Sequence, residues 1–513
     1  MQIALSLLVL AAYASSPQPD ETRHEAPEQT NPPNIILIVA DDLGYKELGC
    51  YGQTKIRTPN IDRIAAEGIR FMQFYSGSPV CAPSRCALLT GMHTGHSYIR
   101  DNYEMGGWER DATEGQLPIP DGTATIGRVL QAAGYTTAVI GKWGLGGPGS
   151  SGEPNNQGFD HWYGYLCQRV AHNYYPTHLW RNGRKQILNN EWFPAHQRLE
   201  GDPLDPKSYE KYQGNLYAPD LMAEEAIDFI RANRDKPFFL YYAPIVPHVS
   251  LQVPADSLKE YVGAFPETPY VGDKGYLPHP TPRAAYAAMI TRMDRRVGEM
   301  LSLLKELGLD EDTIIIFTSD NGPSWVGGAD LDFFRGAGPF RGRKATLYEG
   351  GIRVPMVVRW PDKIRPGTVT YHLSAFWDLM PTIAEIAGAK APENVDGISL
   401  IPTLLAKGRQ RHHDNLYWEY HAGDGHQAVR MGRWKGVRIG GKKDPNAPIQ
   451  LYNLSDDIAE SIDVSARFPD IVAKIEAVMD RRTASHLDRW NFAKKSDAPI
   501  HERGFNLAPC TGR

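Results

Sequence analysis

The chain has 513 residues, of which 42% are hydrophobic and 10% aromatic, and its formal net charge is -5. This length exceeds one ordinary core of about 100–200 residues and predicts two packed units, a large α/β domain and a smaller appendage. The negative charge and the lack of a basic stripe exclude a typical nucleic-acid binder, so an anionic ligand needs a local pocket. Beyond the first residues no apolar run is long enough to cross a bilayer, and no membrane span is expected in the mature chain.

The N-terminus predicts export. Residues 1–14 form a short apolar stretch ending in Ala12-Tyr13-Ala14, a small-x-small sequence of the kind that signal peptidase cuts. We therefore expect a signal peptide and a periplasmic or secreted protein, although no Lys or Arg precedes the apolar stretch. A mis-assigned start or an ordinary tail is the alternative. Residues 15–32, rich in Pro, Glu, Gln and Ser, predict a flexible leader.

The next segments predict a parallel sheet. Three apolar runs consist almost entirely of β-formers, as strands buried on both faces require. Apolar residues at steps of four and three predict one helix from Tyr286 to Leu307, ended by Gly308, and another from Ile126 that ends before Gly134. Strands that alternate with helices predict a mostly parallel sheet with helices on both faces, over residues 33–405. The three runs are Asn34–Ala40, Pro237–Ala243 and Thr313–Thr318.

The pattern changes after about residue 405. Short runs at Leu416–Tyr420, Gln427–Arg430 and Gln450–Tyr452 predict antiparallel strands, and a helix is expected near Pro469 to Arg482. Residues 406–513 are therefore predicted to form a small α+β subdomain with an antiparallel sheet.

Acidic residues directly follow two of the predicted central strands. Asp41 and Asp42 come after the first strand, and Asp320 and Asn321 come after the third. In an open α/β sheet the ligand site lies at the carboxyl ends of the strands, so these side chains are expected to converge. Several oxygen ligands in one place suit Ca²⁺ or Mg²⁺. A lone Asp-Asp pair is more often a turn or a helix cap, and the second pair favours the metal interpretation.

The segment from Cys81 to Gly91, Cys-Ala-Pro-Ser-Arg-Cys-Ala-Leu-Leu-Thr-Gly, is the most specific in the chain. Pro83 suits the first turn of a helix and Gly91 its end, which places Cys81 at the helix N-terminus, where free N–H groups favour an anion. Arg85 lies one turn further on. Five cysteines are too few for a disulfide scaffold and leave at least one unpaired, unless all five are simply small buried hydrophobes.

These residues resemble the signature Cys-x-Pro-Ser-Arg of the type I sulfatases of the alkaline phosphatase superfamily, and the resemblance extends from about residue 32 to 480. It implies an alkaline phosphatase-like fold and hydrolysis of a sulfate ester. It also implies that Cys81 is oxidised to formylglycine, whose hydrated form supplies the attacking oxygen, so a formylglycine-generating maturation enzyme must act on the chain. The implied metal ligands are Asp41, Asp42, the modified Cys81, Asp320 and Asn321.

Three further segments are similar to family motifs. The stretch from Gly134 to Gly146 implies that Lys142 contacts the nucleophile or the sulfate. Pro247-His248 implies that His248 faces the leaving oxygen, and the stretch from Arg343 to Gly351 implies that Lys344 is the last lysine of the site. An aspartate such as Asp320 could act as base, and His248 or Lys344 could protonate the leaving alcohol. The implied catalytic set is Cys81, Arg85, Lys142, His248 and Lys344.

One position departs from the family pattern. The residue two after the motif lysine is usually His and is Gly144 here. The role of that His in holding the nucleophile is therefore either missing or supplied by His172, His178 or His93.

The substrate is predicted from the stretch 164–181, which is crowded with aromatic and hydrogen-bonding side chains. Such side chains suit a sugar ring stacked on an aromatic face, so a sulfated carbohydrate is expected, with an aryl sulfate as the simpler alternative. The expected contacts are His172, His178 and Arg181. The same stretch could be ordinary aromatic core. The C-terminal histidines His412, His413 and His421 are candidates for the pocket rim, with a solvated surface as the alternative.

Three other functions are alternatives to sulfate-ester hydrolysis. A phosphatase or phosphodiesterase of the same superfamily would normally carry Ser or Thr as nucleophile and often the ligands for a second metal. A catalytically silent sulfate-binding homologue is compatible with Gly144. A structural or adhesive protein would need none of the implied catalytic set. The resemblance favours a sulfatase.

Overall fold

The structure is a computed structural model that describes residues 32–110 and 113–492. The predicted signal peptide and nearly all of the predicted leader lie outside the described residues. Within those two ranges, no helix is both long and apolar enough to cross a membrane.

Sixteen strands are present in the described residues, and they belong to a large sheet, a two-stranded sheet and a C-terminal sheet. In chain order they are β1 Asn34–Ala40, β2 Ile69–Phe71, β3 Phe74–Tyr75, β4 Thr136–Lys142, β5 His161–Tyr165, β6 His178–Arg181, β7 Arg184–Ile187, β8 Phe238–Ala243, β9 Thr313–Ser319, β10 Met356–Arg359, β11 Thr368–Thr370, β12 Ser374–Ala375, β13 Leu416–Tyr420, β14 His426–Met431, β15 Trp434–Ile439 and β16 Ile449–Asn453.

The α-helices pack around these sheets. They are α1 Pro59–Ala66, α2 Cys81–Thr90, α3 Ile126–Ala132, α4 Ala218–Ala232, α5 Ala255–Leu258, α6 Pro282–Glu306, α7 Leu331–Phe334, α8 Glu349–Ile352, α9 Leu379–Ile386, α10 Ile401–Leu404 and α11 Pro469–Met479. Short 3₁₀ helices occur at Gly49–Tyr51, Pro154–Gln157, Val170–His172, Pro206–Tyr212, Phe376–Asp378, Ser465–Arg467 and Asp488–Trp490.

The large sheet has ten strands in the order β11-β2-β10-β9-β1-β8-β4-β5-β6-β7. Its centre, β9-β1-β8-β4-β5, is parallel, with Ile36 of β1 opposite Leu240 on one side and Ile315 on the other. Antiparallel strands occur only toward the two edges, at β10 and at β6 and β7. The predicted mostly parallel sheet is confirmed.

Successive side chains of β1 point to opposite faces, and each face has its own core. Ile36 and Ile38 pack into a core that includes residues of α1, α4 and α6. Ile35 and Leu37 pack into the other core, with residues of α2, α3 and α9. Helices on both faces therefore bury every residue of β1, as its apolar sequence predicts.

The C-terminal sheet has the order β13-β14-β15-β16 and is antiparallel throughout, and α11 packs against it. Three of its strands and its helix agree with the predicted α+β subdomain. The sequence pattern missed β15, which carries Gly436 in its interior. That glycine leaves room for Ile475 of α11, because an added Cβ would lie 2.6 Å from Ile475 Cγ2. The boundary at residue 405 stays a prediction.

Candidate active site

Four neighbouring strands of the parallel centre end at one edge of the sheet and deliver acidic and basic groups there. Asp41 and Asp42 follow β1, and Asp320 and Asn321 follow β9; all four are fully buried. The backbone N–H of Asp42 donates to Asp320 Oδ1 at 3.1 Å, and Asn321 Nδ2 donates to Asp42 Oδ1 at 2.8 Å. The expected convergence of these side chains is therefore present.

Helix α2 begins at Cys81, beside this acidic group, and ends before Gly91, which has a φ of 71°. The Cys81 sulfur lies 3.5 Å from Asp41 Oδ1, 3.4 Å from Lys142 Nζ and 3.7 Å from Lys344 Nζ. A helix N-terminus and two ammonium groups thus surround one buried sulfur, which is a setting suited to an anion.

Three cations pair with three carboxylates. Arg85 Nη2 lies 2.8 Å from Asp320 Oδ2, Lys142 Nζ lies 2.7 Å from Asp41 Oδ2, and Lys344 Nζ lies 2.7 Å from Asp42 Oδ1. These six groups carry no net charge, so one divalent cation would bring their sum to about +2. A sulfate dianion would then balance the site.

Burial and charge shift the pKa values of these groups in opposite directions. Burial opposes ionisation of Asp41, but Lys142 and its other cationic neighbours hold its pKa well below its usual range. Burial and the repulsion from Asp41 raise the pKa of Asp320. Burial also raises the pKa of the Cys81 thiol, despite both lysines. The unmodified thiol is therefore protonated and poorly suited to attack by itself.

His248 lies in the loop after β8, at the same edge of the sheet. Its Nδ1 donates to the Val249 carbonyl oxygen, whereas Nε2 is buried 3.7 Å from Asp42 Oδ2 and has no hydrogen-bond partner in the described part of the chain. Burial and the charge of Lys344 lower the pKa of His248 to about 4. His248 is thus neutral at pH 7, with one nitrogen available to a ligand.

The oxygen donors fit a hard cation. Asn321 Oδ1 is buried and has no hydrogen-bond partner among the described residues, which is costly unless a ligand satisfies it. Asp41, Asp42, Cys81 and His248 also place ligand atoms within 4.8 Å of one another. Carboxylate and amide oxygens are the ligands that Ca²⁺ and Mg²⁺ prefer.

Of the three residues predicted to contact the substrate, one lies at the site and two lie elsewhere. His172 joins the site, because its ring stacks on that of His248 with a centroid distance of 5.0 Å. His178 and Arg181 lie on β6, where His178 Nε2 is 2.7 Å from Glu114 Oε1 and Arg181 pairs with Glu225. In the described part of the chain, neither forms a hydrogen bond or ion pair with the residues around Cys81, and their substrate role stays a prediction.

The other candidate histidines have structural partners. His93 and His96 surround Asp396, with His96 Nδ1 at 2.8 Å from its Oδ1. His413 Nε2 lies 2.7 Å from Asp378 Oδ1, and His421 is fully buried beside Glu419. His412 is exposed.

The space beside Gly144 is filled by a residue that the sequence did not indicate. A Cβ on Gly144 would lie 2.7 Å from Gln168 Nε2 and 2.9 Å from its Cγ, and Gly144 has a φ of 80°. Gln168 is 1% exposed, and its Nε2 has no hydrogen-bond partner within residues 32–110 and 113–492. The glycine and the glutamine are therefore coupled: a larger side chain at 144 would displace the amide.

Asn102 and Tyr276 also lie near the site, and no sequence pattern indicated them. Asn102 Oδ1 accepts a hydrogen bond from the Ala82 N–H at 3.0 Å, which holds the first turn of α2. The Tyr276 ring lies 5.1 Å from that of His172 and 5.8 Å from that of His248. All three missed residues lie in loops, where no periodic pattern marks a buried side chain.

A family model described as Sulfatase matches residues 33–389. The chain belongs to the sulfatase family. A second model, described as N-sulphoglucosamine sulphohydrolase, C-terminal, matches residues 340–484, a range that contains all four strands of the C-terminal sheet and α11. The predicted membership of the type I sulfatases of the alkaline phosphatase superfamily is confirmed, and the chain is a sulfuric ester hydrolase.

Relatives and solved structures agree with this family. Arylsulfatase A from Homo sapiens is 36% identical over 421 residues, covering 79% of this chain and 74% of that protein. N-acetylgalactosamine-6-sulfatase from Rattus norvegicus is 34% identical over 424 residues, covering 79% and 71%. The crystal structure of Ps i-CgsB in complex with k-i-k-neocarrahexaose is similar with a TM-score of 0.71 and 30% identity, covering 88% and 92%.

Proposed function

We propose that this sulfatase hydrolyses a sulfate ester of a sulfated carbohydrate, using a formylglycine made from Cys81 and one bound Ca²⁺, with Mg²⁺ as the alternative. The observation that carries the proposal is the position of Cys81: buried, at the start of α2, with Lys142 and Lys344 Nζ at 3.4 and 3.7 Å from its sulfur. We also propose that the protein is periplasmic or secreted, after removal of residues 1–14.

The metal would be held by the oxygens of Asp41, Asp42, Asp320 and Asn321, together with the modified residue 81. A cation bound by these residues would supply Lewis-acid polarisation of the nucleophile and the sulfate oxygens. One hydroxyl of the formylglycine hydrate attacks the sulfur of the ester as the alcohol leaves. The second hydroxyl then loses its proton, which expels inorganic sulfate and regenerates the aldehyde.

Fixed cations orient and stabilise the sulfate group. A sulfate ester repels an oxygen nucleophile, and its charge must be held while the S–O bond breaks. Lys142 and Lys344 flank residue 81, and Arg85 is fixed by Asp320 and by a 2.7 Å hydrogen bond from Nη1 to the Lys142 carbonyl oxygen. Because these groups are already ordered by their carboxylates, they need little reorganisation during the reaction.

Two groups handle protons. Burial and Asp41 raise the pKa of Asp320 to about 7, whereas Lys142 and other cations hold that of Asp41 well below its usual range, so we assign the base role to Asp320. His248 Nε2 is the nitrogen available to protonate the leaving alcohol. A bound sulfate ester favours its protonation by charge, and His248 can then donate that proton to the departing alcohol. Lys344 retains its proton, because Asp42 overcomes the effect of burial and raises its pKa.

The carbohydrate class is supported by the relatives. One curated relative is named for N-acetylgalactosamine-6-sulfate chemistry, and the similar Ps i-CgsB structure holds a neocarrahexaose. Around the site of this chain, His172, His196 and Tyr276 form an aromatic wall whose ring centroids lie 4.4 to 5.1 Å apart. His172 and Tyr276 are almost fully buried, so the partly exposed ring of His196 is the part of this wall that can pack against a sugar ring.

The test is mass spectrometry of the peptide containing residue 81 after co-expression with a formylglycine-generating enzyme, paired with sulfate release from sulfated sugars. We expect an aldehyde or its hydrate at residue 81 and turnover that Cys81→Ala lowers by at least about 1,000-fold. Cys86→Ala, a buried cysteine in the same helix, is the matched control and should retain activity. An unmodified thiol after competent maturation, or substantial activity in Cys81→Ala, would contradict the proposal and favour a silent homologue.

A further inference from the structure

A separate cavity of about 560 Å³ is lined by residues of the segment 268–274, by residues 325 and 328–332, and by Arg283 and Arg343. Three connections place it next to the nucleophile site. Arg343 immediately precedes Lys344, and Lys274 is two residues from Tyr276, whose ring contacts that of His248. A Cβ on Gly327 would lie 2.7 Å from Cβ of Val249, the residue after His248. The cavity therefore adjoins the side of the site where His248 and Lys344 lie.

The basic side chains of this cavity differ in whether they pair with a carboxylate. Arg283 is neutralised by Asp330, with Nη2 at 2.7 Å from Oδ2. Arg343 instead stacks on Trp325, with its guanidinium carbon 4.3 Å from the ring centroid. In the two described ranges of the chain, no carboxylate lies within 4.0 Å of the charged groups of Arg343 or Lys274. Two cations without an ion pair and an indole thus line the cavity, together with the exposed carboxylates of Asp273 and Asp332.

This combination has a definite chemical preference. Stacking holds the Arg343 guanidinium in place while its N–H groups stay available for a sulfate or carboxylate. Trp325 adds an aromatic surface of the kind that sugar rings pack against, and the exposed carboxylate of Asp273 can accept hydrogen bonds from sugar hydroxyls. Arg343 and Lys274 can therefore bind the anionic group of a sugar whose ring packs against Trp325, while Asp273 and Asp332 can accept from its hydroxyls.

We propose that this cavity binds a second anionic sugar unit of the substrate, linked to the one whose sulfate reacts at residue 81. The preferred substrate is then a sulfated oligosaccharide or polysaccharide, because a sulfated monosaccharide or aryl sulfate does not reach this cavity. This inference rests on the proposed sulfatase activity.

The experiment compares KM for two kinds of substrate in the matured enzyme: a small aryl sulfate, and sulfated hexasaccharides prepared from carrageenan and from chondroitin sulfate. Arg343→Gln and Lys274→Gln should each raise KM for a hexasaccharide about tenfold more than KM for the aryl sulfate, because each removes a charge-assisted contact. Arg433→Gln is the matched control, since Arg433 is also exposed and stacks on a tryptophan, Trp434, at 5.0 Å. It should change neither KM.

Calorimetry with the Cys81→Ala protein measures binding without turnover. The hexasaccharide should bind, and Arg343→Gln added to Cys81→Ala should weaken that binding about tenfold. Equal losses for both substrates would mean that Arg343 acts through Lys344 and would overturn the proposal. No loss for either, or no hexasaccharide binding by an enzyme active on the aryl sulfate, would overturn it too. If the enzyme released no sulfate from any substrate, the proposed activity would fail, whereas calorimetry would still decide the sugar site.

Discussion

Two clusters of buried charge lie in this protein, one around Cys81 and one around Glu419, and they differ in how completely they are satisfied. Glu419 is fully buried, and its two oxygens accept from Arg100 at 2.8 Å, His421 at 2.9 Å, Tyr417 at 2.8 Å and Arg482 at 2.5 Å. These contacts join the C-terminal sheet to the loop after α2. Nothing about the carboxylate of Glu419 invites a further ligand.

The Cys81 cluster likewise combines buried carboxylates, cations and a histidine. Here, however, Asn321 Oδ1 and His248 Nε2 lack hydrogen-bond partners, and three carboxylates crowd together at one edge of the sheet. Burial of charge therefore does not by itself mark a functional site. A buried polar atom without a partner is not sufficient either, since His421 Nδ1 beside Glu419 has none among the described residues. The informative feature is an oxygen without a partner beside several crowded carboxylates, because the cost of that arrangement is recovered when a cation binds.

The largest effect on stability is expected at Glu419. Glu419→Gln should lower the free energy of unfolding by about 3–5 kcal/mol, since it leaves buried Arg100 and Arg482 without a counter-charge. Chemical denaturation measures this loss. Glu385→Gln, at an exposed position on α9, is the matched control. A loss below about 1 kcal/mol for Glu419→Gln would contradict the structural role of the Glu419 cluster.

At the Cys81 cluster, Asn321→Ala should instead affect ligand binding. Removing one oxygen donor should weaken Ca²⁺ binding about 100-fold, while the metal-free protein unfolds within about 1 kcal/mol of wild type. Calcium titration by calorimetry and thermal unfolding with and without calcium measure both quantities. Asn446→Ala, which changes an exposed asparagine, should alter neither. Unchanged calcium affinity would remove Asn321 from the metal site.

A smaller effect on turnover is expected at Gln168, which we interpret as a positioning residue in place of the usual family histidine. Gln168→Ala should lower kcat about tenfold with little change in KM, because the amide would hold the nucleophile and not the sugar. Gln131→Ala, on the exposed face of α3, is the control. A change in KM alone, or in thermal stability alone, would mean that Gln168 only fills space beside Gly144.

The smallest effect concerns pH. Burial lowers the pKa of His421 to about 4, so below about pH 6.5 the unfolded chain binds a proton that the folded protein does not. Stability therefore falls as the pH drops from 6.5 toward 4. His421→Gln should make this slope shallower by at most about 1.4 kcal/mol per pH unit, measured by denaturation at several pH values. His412→Gln, at an exposed position, is the control; an unchanged slope in His421→Gln would contradict the assignment.

The sequence predicted those parts of the site that depend on local signals or on the ends of strands. Pro83 and Gly91 predicted a helix whose first residue is Cys81, and α2 has that start. Asp41, Asp42, Asp320 and Asn321 were expected together because parallel strands deliver the residues after their ends to one edge. The family motifs added Lys142, His248 and Lys344, and the structure places all three beside Cys81 or Asp42.

The amino-acid sequence by itself determined the parallel sheet, the helix that presents Cys81 and the family to which the chain belongs, because periodicity, turn residues and motifs are local properties. Only the tertiary structure decided that Gln168 fills the space at Gly144, that His178 and Arg181 pair with glutamates on other elements, and that Arg343 and Trp325 line a cavity near His248. Those contacts join residues far apart in the chain, and their geometry depends on how the loops pack at the edge of the sheet.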